Sequence, residues 1–142
     1  MEELGINITA IIVATVANFI LGFLWYTPLF GKAWAKEMGF DMNVKPPKGA
    51  LAKGMIFMVI GNFLMAYVLA HNNAAWSFVP GMKEMSPMAK VMNAAIFTWL
   101  GFYFPVDLGA VAWENKSWKL FGINTSYHFA MVLVAAIILI YM

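Results

Sequence analysis

The stretch GINITAIIVATVANFILGFLWY, residues Gly5–Tyr26, decides the fold class of this chain. It is 22 residues long and contains no charged side chain. A helix needs about 20 apolar residues to cross a hydrocarbon core of about 30 Å, because each residue advances the helix by about 1.5 Å. The stretch therefore predicts a transmembrane helix.

Three further apolar stretches have similar lengths. They are Gly54–Ala70 with 17 residues, Val91–Trp113 with 23 and Leu120–Met142 with 23. In the whole chain 63% of residues are hydrophobic and 11% are charged, against about half and about 25% in soluble domains. The stretches lack the apolar–polar alternation of membrane barrel strands. The sequence predicts an all-α integral membrane protein, with residues 1–142 forming one domain of four transmembrane helices.

The lysines predict how these helices are oriented. All nine basic residues of the chain are lysines. Seven of them belong to the first and third loops, namely Lys32, Lys36, Lys45, Lys48, Lys53, Lys116 and Lys119. The second loop has only Lys83 and Lys90. Because basic residues collect on the cytoplasmic side, we expect the first and third loops in the cytoplasm and both termini outside it.

The segment LWYTPLFGKAW, residues Leu24–Trp34, predicts an interfacial anchor after the first helix. Its anchoring residues are Trp25, Tyr26, Pro28, Phe30, Lys32 and Trp34. Tryptophan and tyrosine favour the membrane–water interface, and proline disfavours helix in the residue before it. The later apolar rings lie four residues apart with a lysine between them, which is typical of a short amphipathic helix lying in the interface.

A weak internal repeat links the two halves of the chain. The tripeptide LGF occurs at Leu21–Phe23 and again at Leu100–Phe102, and in both places a tryptophan follows the glycine by twelve residues. A tandem repeat of two helices would give two halves of the same orientation. Coincidence among common membrane residues is the alternative.

Three segments together resemble a known family. They are LGFLWYTPLFGKAW (Leu21–Trp34), WLGF (Trp99–Phe102) and WENKSWKLFGINTSYH (Trp113–His128). They resemble the small bacterial membrane proteins of domain of unknown function 1761, over nearly the whole chain. The resemblance implies a multi-pass protein of the bacterial inner membrane, with periplasmic termini in the orientation above. It brings no known activity, cofactor or catalytic residue, and Pro105 and Asp107 depart from the plainer apolar run that it implies.

Polar side chains inside the predicted helices are the candidate functional residues. They are Asn18, Asn62, Asp107, Asn124 and His128. Ionisable groups within a span are costly, and they often mark function. We expect Asp107 and His128 to meet, because a short loop makes the third and fourth helices antiparallel neighbours. Interhelical hydrogen bonding, which contributes about 0.6 kcal/mol per contact, is one interpretation. A polar path or substrate pocket is the other.

Small residues predict where helices pack closely. Ala94, Thr98, Gly101 and Gly109 form a narrow ridge on the third helix, away from Asp107. Such ridges let helices approach within one chain or between chains. We therefore expect a homo-oligomer.

Methionines raise the question of a metal. Met82, Met85 and Met88 repeat every third residue, and thioethers suit Cu(I). Methionine is also an ordinary gap-filler in apolar cores. Since the chain has no cysteine and no histidine cluster, we expect no metal site and no cofactor.

Other classes of function are disfavoured by what the sequence contains. The chain has no arginine and no clustered basic face of the kind that nucleic acids require. It has neither a nucleophile with histidine and acid partners nor a glycine-rich phosphate loop, so we expect no enzymatic activity. We expect a structural or accessory protein of the lipid bilayer. The alternative is a small transporter or channel with a polar path around Asp107 and His128, for a substrate that the sequence does not identify.

Overall fold

The computed structural model describes residues 4–142, so the first three residues of the predicted domain lie outside it. The described residues form helices and connecting loops, with no strand among them. The helices are α1 (Ile8–Leu24), α2 (Gly31–Met38), α3 (Ala50–Trp76), α4 (Pro87–Thr98), α5 (Phe104–Glu114) and α6 (Trp118–Tyr141). Two short π-helical turns complete them, Trp25–Leu29 after α1 and Trp99–Tyr103 between α4 and α5.

The four predicted apolar helices are confirmed, with different ends. The helices long and apolar enough to cross a membrane are Ile8–Leu29, Ala50–Trp76, Pro87–Glu114 and Trp118–Tyr141. We call them the first to fourth spans. The second has 27 residues, whereas its predicted apolar stretch has 17. Hydropathy falls at Lys53 and His71, which bound the predicted stretch, but neither residue interrupts helical hydrogen bonding.

Capping side chains explain where two of the helices begin. The side chain of Asn7 accepts a hydrogen bond from the backbone N–H of Ala10 at 3.0 Å. The Ser86 hydroxyl accepts from the N–H of Ala89 at 3.2 Å, directly before Pro87. Such caps satisfy N–H groups that have no partner within the helix, and proline fits the first helical position because it lacks an N–H.

The two ends of the bundle differ in their lysines. Asn7 Nδ2 donates to the carbonyl of Met142 at 3.3 Å, and Ile140 lines one pocket with Lys83 of loop 77–86. We call this end the terminal end. At the other end Ser117 donates a hydrogen bond to Glu37 of α2. We call this the lysine-rich end, because residues 30–53 and 115–119 bring together seven of the nine lysines there.

The fourth span lies at the centre of the bundle. Val132, Ala135 and Ala136 of α6 are completely buried, as is Ala95 of α4. In the most apolar part of the fourth span 39% of residues are buried, against 11% in the third span. The small residues let neighbouring helices approach α6 closely. The third span is therefore the least enclosed, and it is also the span that carries Asp107.

Candidate polar site on α6

Polar groups from the first and third spans converge on residues 123–128 of α6, which we call the α6 polar segment. Trp25 Nε1 donates to the carbonyl of Ile123 at 3.1 Å, and Tyr26 Oη donates to Asn124 Oδ1 at 2.9 Å. Trp99 Nε1 donates to the carbonyl of Thr125 at 2.9 Å. One and a half turns of α6 therefore tie together both spans that carry a π-helical turn.

Asp107 and His128 form the charged part of this site. His128 Nδ1 lies 2.8 Å from Asp107 Oδ2, so the predicted contact is confirmed. Asp107 is 8% exposed, and of the α5 residues, all of which are described, it alone is buried. The contact is a hydrogen bond from neutral imidazole to carboxylate, or an ion pair once the imidazole is protonated. A buried carboxylate that is paired costs less free energy than an isolated one.

Tyrosine rings surround the histidine. The ring centroid of Tyr103 lies 4.9 Å from that of His128, and the centroid of Tyr127 lies 5.5 Å from it. Tyr26 meets Tyr127 edge to face at 4.9 Å. The sequence predicts Tyr26 at the membrane interface, and Tyr103 and Tyr127 are not among the predicted site residues. Tyr103 and Tyr127 therefore flank the imidazole, and Tyr26 extends this aromatic cluster through its contact with Tyr127.

Both tyrosines that reach α6 from other spans lie in π-helical turns. The N–H of Phe30 bonds the carbonyl of Trp25 at 2.8 Å, five residues back, and the N–H of Phe104 likewise bonds the carbonyl of Trp99. Tyr26 and Tyr103 lie within these turns. A proline follows each tyrosine by two residues, at positions 28 and 105, and its missing N–H breaks the regular ladder. Isolated π-turns of this kind are frequent at functional sites.

This shared tyrosine–x–proline spacing is the sequence signal that could have identified the tyrosines. The two copies read Trp25–Tyr26–Thr27–Pro28 and Phe102–Tyr103–Phe104–Pro105. The tripeptide LGF precedes the first copy and overlaps the second. When the two LGF tripeptides are aligned, Pro28 and Pro105 do not fall at the same position. The tandem repeat stays a prediction, and the matched π-turns are the structural feature that it would have to explain.

The predicted anchor residues have partners inside the bundle as well as in the following helix. Trp25 and Tyr26 are held by α6, a contact that the interfacial interpretation did not include. Trp34 packs on the ring of Tyr26 with centroids 5.6 Å apart, and Phe30 packs on Trp25 at 4.9 Å. Pro28 lies inside the π-turn, where the first span is extended to Leu29 rather than ended at the proline.

The short helix predicted after the first span is α2, which contains Lys32. Gly31 begins it, and a Cβ at that position would lie 2.7 Å from the carbonyl oxygen of Tyr26. Gly39 ends it with a φ of +77°, a conformation that favours glycine. Glu37 accepts the hydrogen bond from Ser117 that ties α2 to the loop before α6. The glycines therefore fix both the close approach and the length of this helix.

Asn18 and Asn62 lie apart from the α6 polar segment. Asn18 is completely buried and Asn62 is 3% exposed. Both amide atoms of Asn18 and the Nδ2 of Asn62 have no hydrogen-bond partner among the described residues. A Cβ on Gly22 would lie 3.2 Å from Met58 Sδ, and each asparagine is one turn beyond this contact toward the terminal end. The two asparagines therefore share one level of the bundle.

The predicted packing ridge on the third span is largely unpaired within the chain. A Cβ on Gly101 or Gly109 would meet no atom within 4 Å in the described structure. Ala94 and Thr98 line a pocket at the terminal end. Close packing inside the chain is instead made by other small residues, such as Ala95 and Ala135, which are completely buried.

These features define an all-helical protein with four helices long and apolar enough to cross a membrane, and with a carboxylate–imidazole pair between the third and fourth. The chain belongs to the family described as "Protein of unknown function (DUF1761)", whose model matches residues 9–140. The resemblance in the sequence is thus confirmed, and the matched residues include parts of all four spans. No curated protein and no solved structure matches the chain.

Proposed function

We propose that this protein is an integral membrane protein of the bacterial inner membrane, with its lysine-rich end in the cytoplasm and both termini in the periplasm. Four sufficiently long apolar helices support insertion. The collection of seven of nine lysines at one end supports the orientation, because basic residues are retained on the cytoplasmic side.

Within the membrane we assign the protein a non-enzymatic, structural or accessory role. The observation that carries this proposal is the direct contact of His128 with the buried Asp107 at 2.8 Å. The costly groups of the third and fourth spans satisfy each other, as expected of a lock between helices. The bonds from Trp25, Tyr26 and Trp99 use three further acceptors of the α6 polar segment in the same way.

We also propose that the chain forms a homo-oligomer through the third span. That span has the smallest buried share of the four, 11%, and it presents Gly101 and Gly109 with open space around them. Glycine allows the closest approach of a second helix, and close packing drives helix association in lipid.

The oligomer can be tested by measuring the mass of the protein in lipid nanodiscs. Gly101→Leu and Gly109→Leu should each shift the assembly toward the monomer, because the added side chain blocks close approach. Gly61→Leu is the matched control, since Gly61 on α3 also has open space around it. A wild-type chain that stays monomeric at all protein-to-lipid ratios would exclude the oligomer and leave the lock within one chain unaffected.

One observation favours a second candidate function, a small transporter or channel. A buried amide without a hydrogen-bond partner costs about 1–3 kcal/mol, and such groups in native proteins often bind water or serve a function. Asn18 has two such atoms and Asn62 has one. A polar path through this level, continuing to Asp107 and His128, would use them. Flux of a tested ion or solute into proteoliposomes that is abolished by Asp107→Asn, without loss of assembly or thermal stability, would favour transport over the structural role.

A further inference from the structure

A pocket of about 570 Å³ lies at the terminal end, lined by residues of α3, loop 77–86, α4, the π-helical turn that follows α4, and α6. Its size is within the range of about 300–1,000 Å³ that is typical of small-molecule sites. It shares no residue with the α6 polar segment. We propose that it binds an amphipathic anion, namely an acyl chain that carries an anionic headgroup. The proposal does not rest on the proposed function.

The loop side of the pocket favours an anionic headgroup. Lys83 and Lys90, the two lysines of the terminal end, both line it, while the neighbouring Glu84 is described and does not. Asn72 and Asn73 of α3 also line it. The two lysines bring two ammonium donors to this part of the pocket. A carboxylate or phosphate would supply the acceptors that they lack, in charge-assisted hydrogen bonds.

The remainder of the pocket favours an apolar tail. Leu69, Phe97, Phe102 and Ile140 line it. Phe102 follows Lys90 by twelve residues, which is about 18 Å along a helix at about 1.5 Å per residue. Phe97 and Phe102 are 69% and 70% exposed, so this apolar wall is open toward the surroundings of the bundle. A small inorganic anion would leave the apolar length uncovered, whereas an acyl chain would cover it.

The same chemistry is found in a free fatty carboxylate and in an anionic phospholipid. The two sources can be distinguished by measuring binding of palmitate and of dioleoylphosphatidylglycerol to the full chain in a non-ionic detergent, with native mass spectrometry and thermal unfolding. Dioleoylphosphatidylcholine tests the need for net negative charge, and inorganic phosphate tests the need for the tail. We expect palmitate or dioleoylphosphatidylglycerol to bind with a stoichiometry of one per chain. Dioleoylphosphatidylcholine, which has no net negative charge, and inorganic phosphate, which has no tail, should each bind at least tenfold more weakly.

Two pairs of variants test the site itself. Lys83→Gln with Lys90→Gln should weaken binding of the anion at least tenfold. Lys116→Gln with Lys119→Gln removes the same charge at the lysine-rich end and should leave binding unchanged. Ala94→Phe fills the pocket without changing charge and should also abolish binding, and Ala112→Phe, at an exposed position on α5, is its control.

Binding of dioleoylphosphatidylcholine as tight as that of the better-binding anion would overturn the proposal, as would equal losses in the two double-lysine variants. Binding that survives Ala94→Phe in a folded protein would place the ligand elsewhere and would also overturn it. Oligomer mass measured on the same samples keeps the two proposals distinguishable. A variant that loses the ligand but keeps the oligomer, or one that loses the oligomer but still binds the ligand, would show that the pocket and the third-span contact are independent.

Discussion

His128 Nδ1 lies 2.8 Å from Asp107 Oδ2, and this contact joins the least enclosed span of the bundle to the most enclosed one. Asp107 is the buried residue of α5, and the half-buried Phe104 of the same helix packs on Phe121 of α6 with ring centroids 5.4 Å apart. A helix with so small a buried interface depends on a single pair more than a helix with an extensive apolar interface does. The pair is therefore the first target for mutation.

We expect Asp107→Leu to lower the free energy of unfolding by about 1–3 kcal/mol, because it leaves the His128 imidazole without its partner. Thermal or denaturant unfolding in detergent measures the change. His128→Leu completes a double-mutant cycle. The double variant should lose less free energy of unfolding than the sum of the two single losses, by about 0.5–3 kcal/mol. Glu114→Gln, which changes an exposed acid at the end of α5, is the control. Strictly additive losses would show that the two side chains are not coupled.

This contact is the part of the site that the sequence could predict. Only three residues separate α5 from α6, so the two helices must be antiparallel neighbours. With the rise of a helix fixed at about 1.5 Å per residue, counting from the loop places Asp107 and His128 at similar depth. Counting residues from a loop gives relative depth only when the loop is short. Asn18 and Asn124 are separated by several helices and loops, so the same count cannot place them.

The approach of α2 to the end of the first span gives a second prediction. Gly31→Ala should destabilise the protein, because the new Cβ would lie 2.7 Å from the backbone carbonyl oxygen of Tyr26. Gly61→Ala adds the same methyl group in the interior of α3, where no atom lies within 4 Å. It should stabilise the helix by up to about 1 kcal/mol, since alanine has the higher helix propensity. Melting temperatures of the two variants should therefore move in opposite directions, and equal shifts would contradict the close approach.

The hydrogen bond from Tyr26 to Asn124 gives a third prediction. Tyr26→Phe removes the donor of the 2.9 Å bond and retains the ring that packs on Trp34 and Tyr127. We expect a loss of about 0.6 kcal/mol, with about 1.7 as the upper limit for such bonds in membrane bundles. Tyr141→Phe, at an exposed position near the end of α6, should have no effect. Similar melting temperatures for the two variants would show that the hydroxyl of Tyr26 does not stabilise the bundle.

The inward position of Tyr26 could not be predicted from sequence periodicity. Positions on one helix face recur every 3.6 residues, but a π-helical turn advances the chain by an extra residue and rotates everything beyond it. The aromatic-belt rule predicts Trp25 and Tyr26 at the membrane interface, and it does not predict the hydrogen bonds that both donate to α6. The pocket at the terminal end was missed for a different reason. Its residues come from α3, the following loop, α4 and α6, and no local pattern brings these segments together.

The two asparagines Asn18 and Asn124 should respond oppositely to the same substitution. Asn18 is completely buried, and neither of its amide atoms has a hydrogen-bond partner among the described residues. Asn18→Leu replaces this unsatisfied polar group by an apolar one of similar size. It should therefore stabilise the protein by about 1–3 kcal/mol. Asn124→Leu instead removes the acceptor of the Tyr26 hydroxyl and should destabilise it. Thermal unfolding in one detergent measures both. A gain in stability without loss of any flux supports the structural role, whereas a stabilised but transport-dead Asn18→Leu variant would assign the interior asparagines to a polar path.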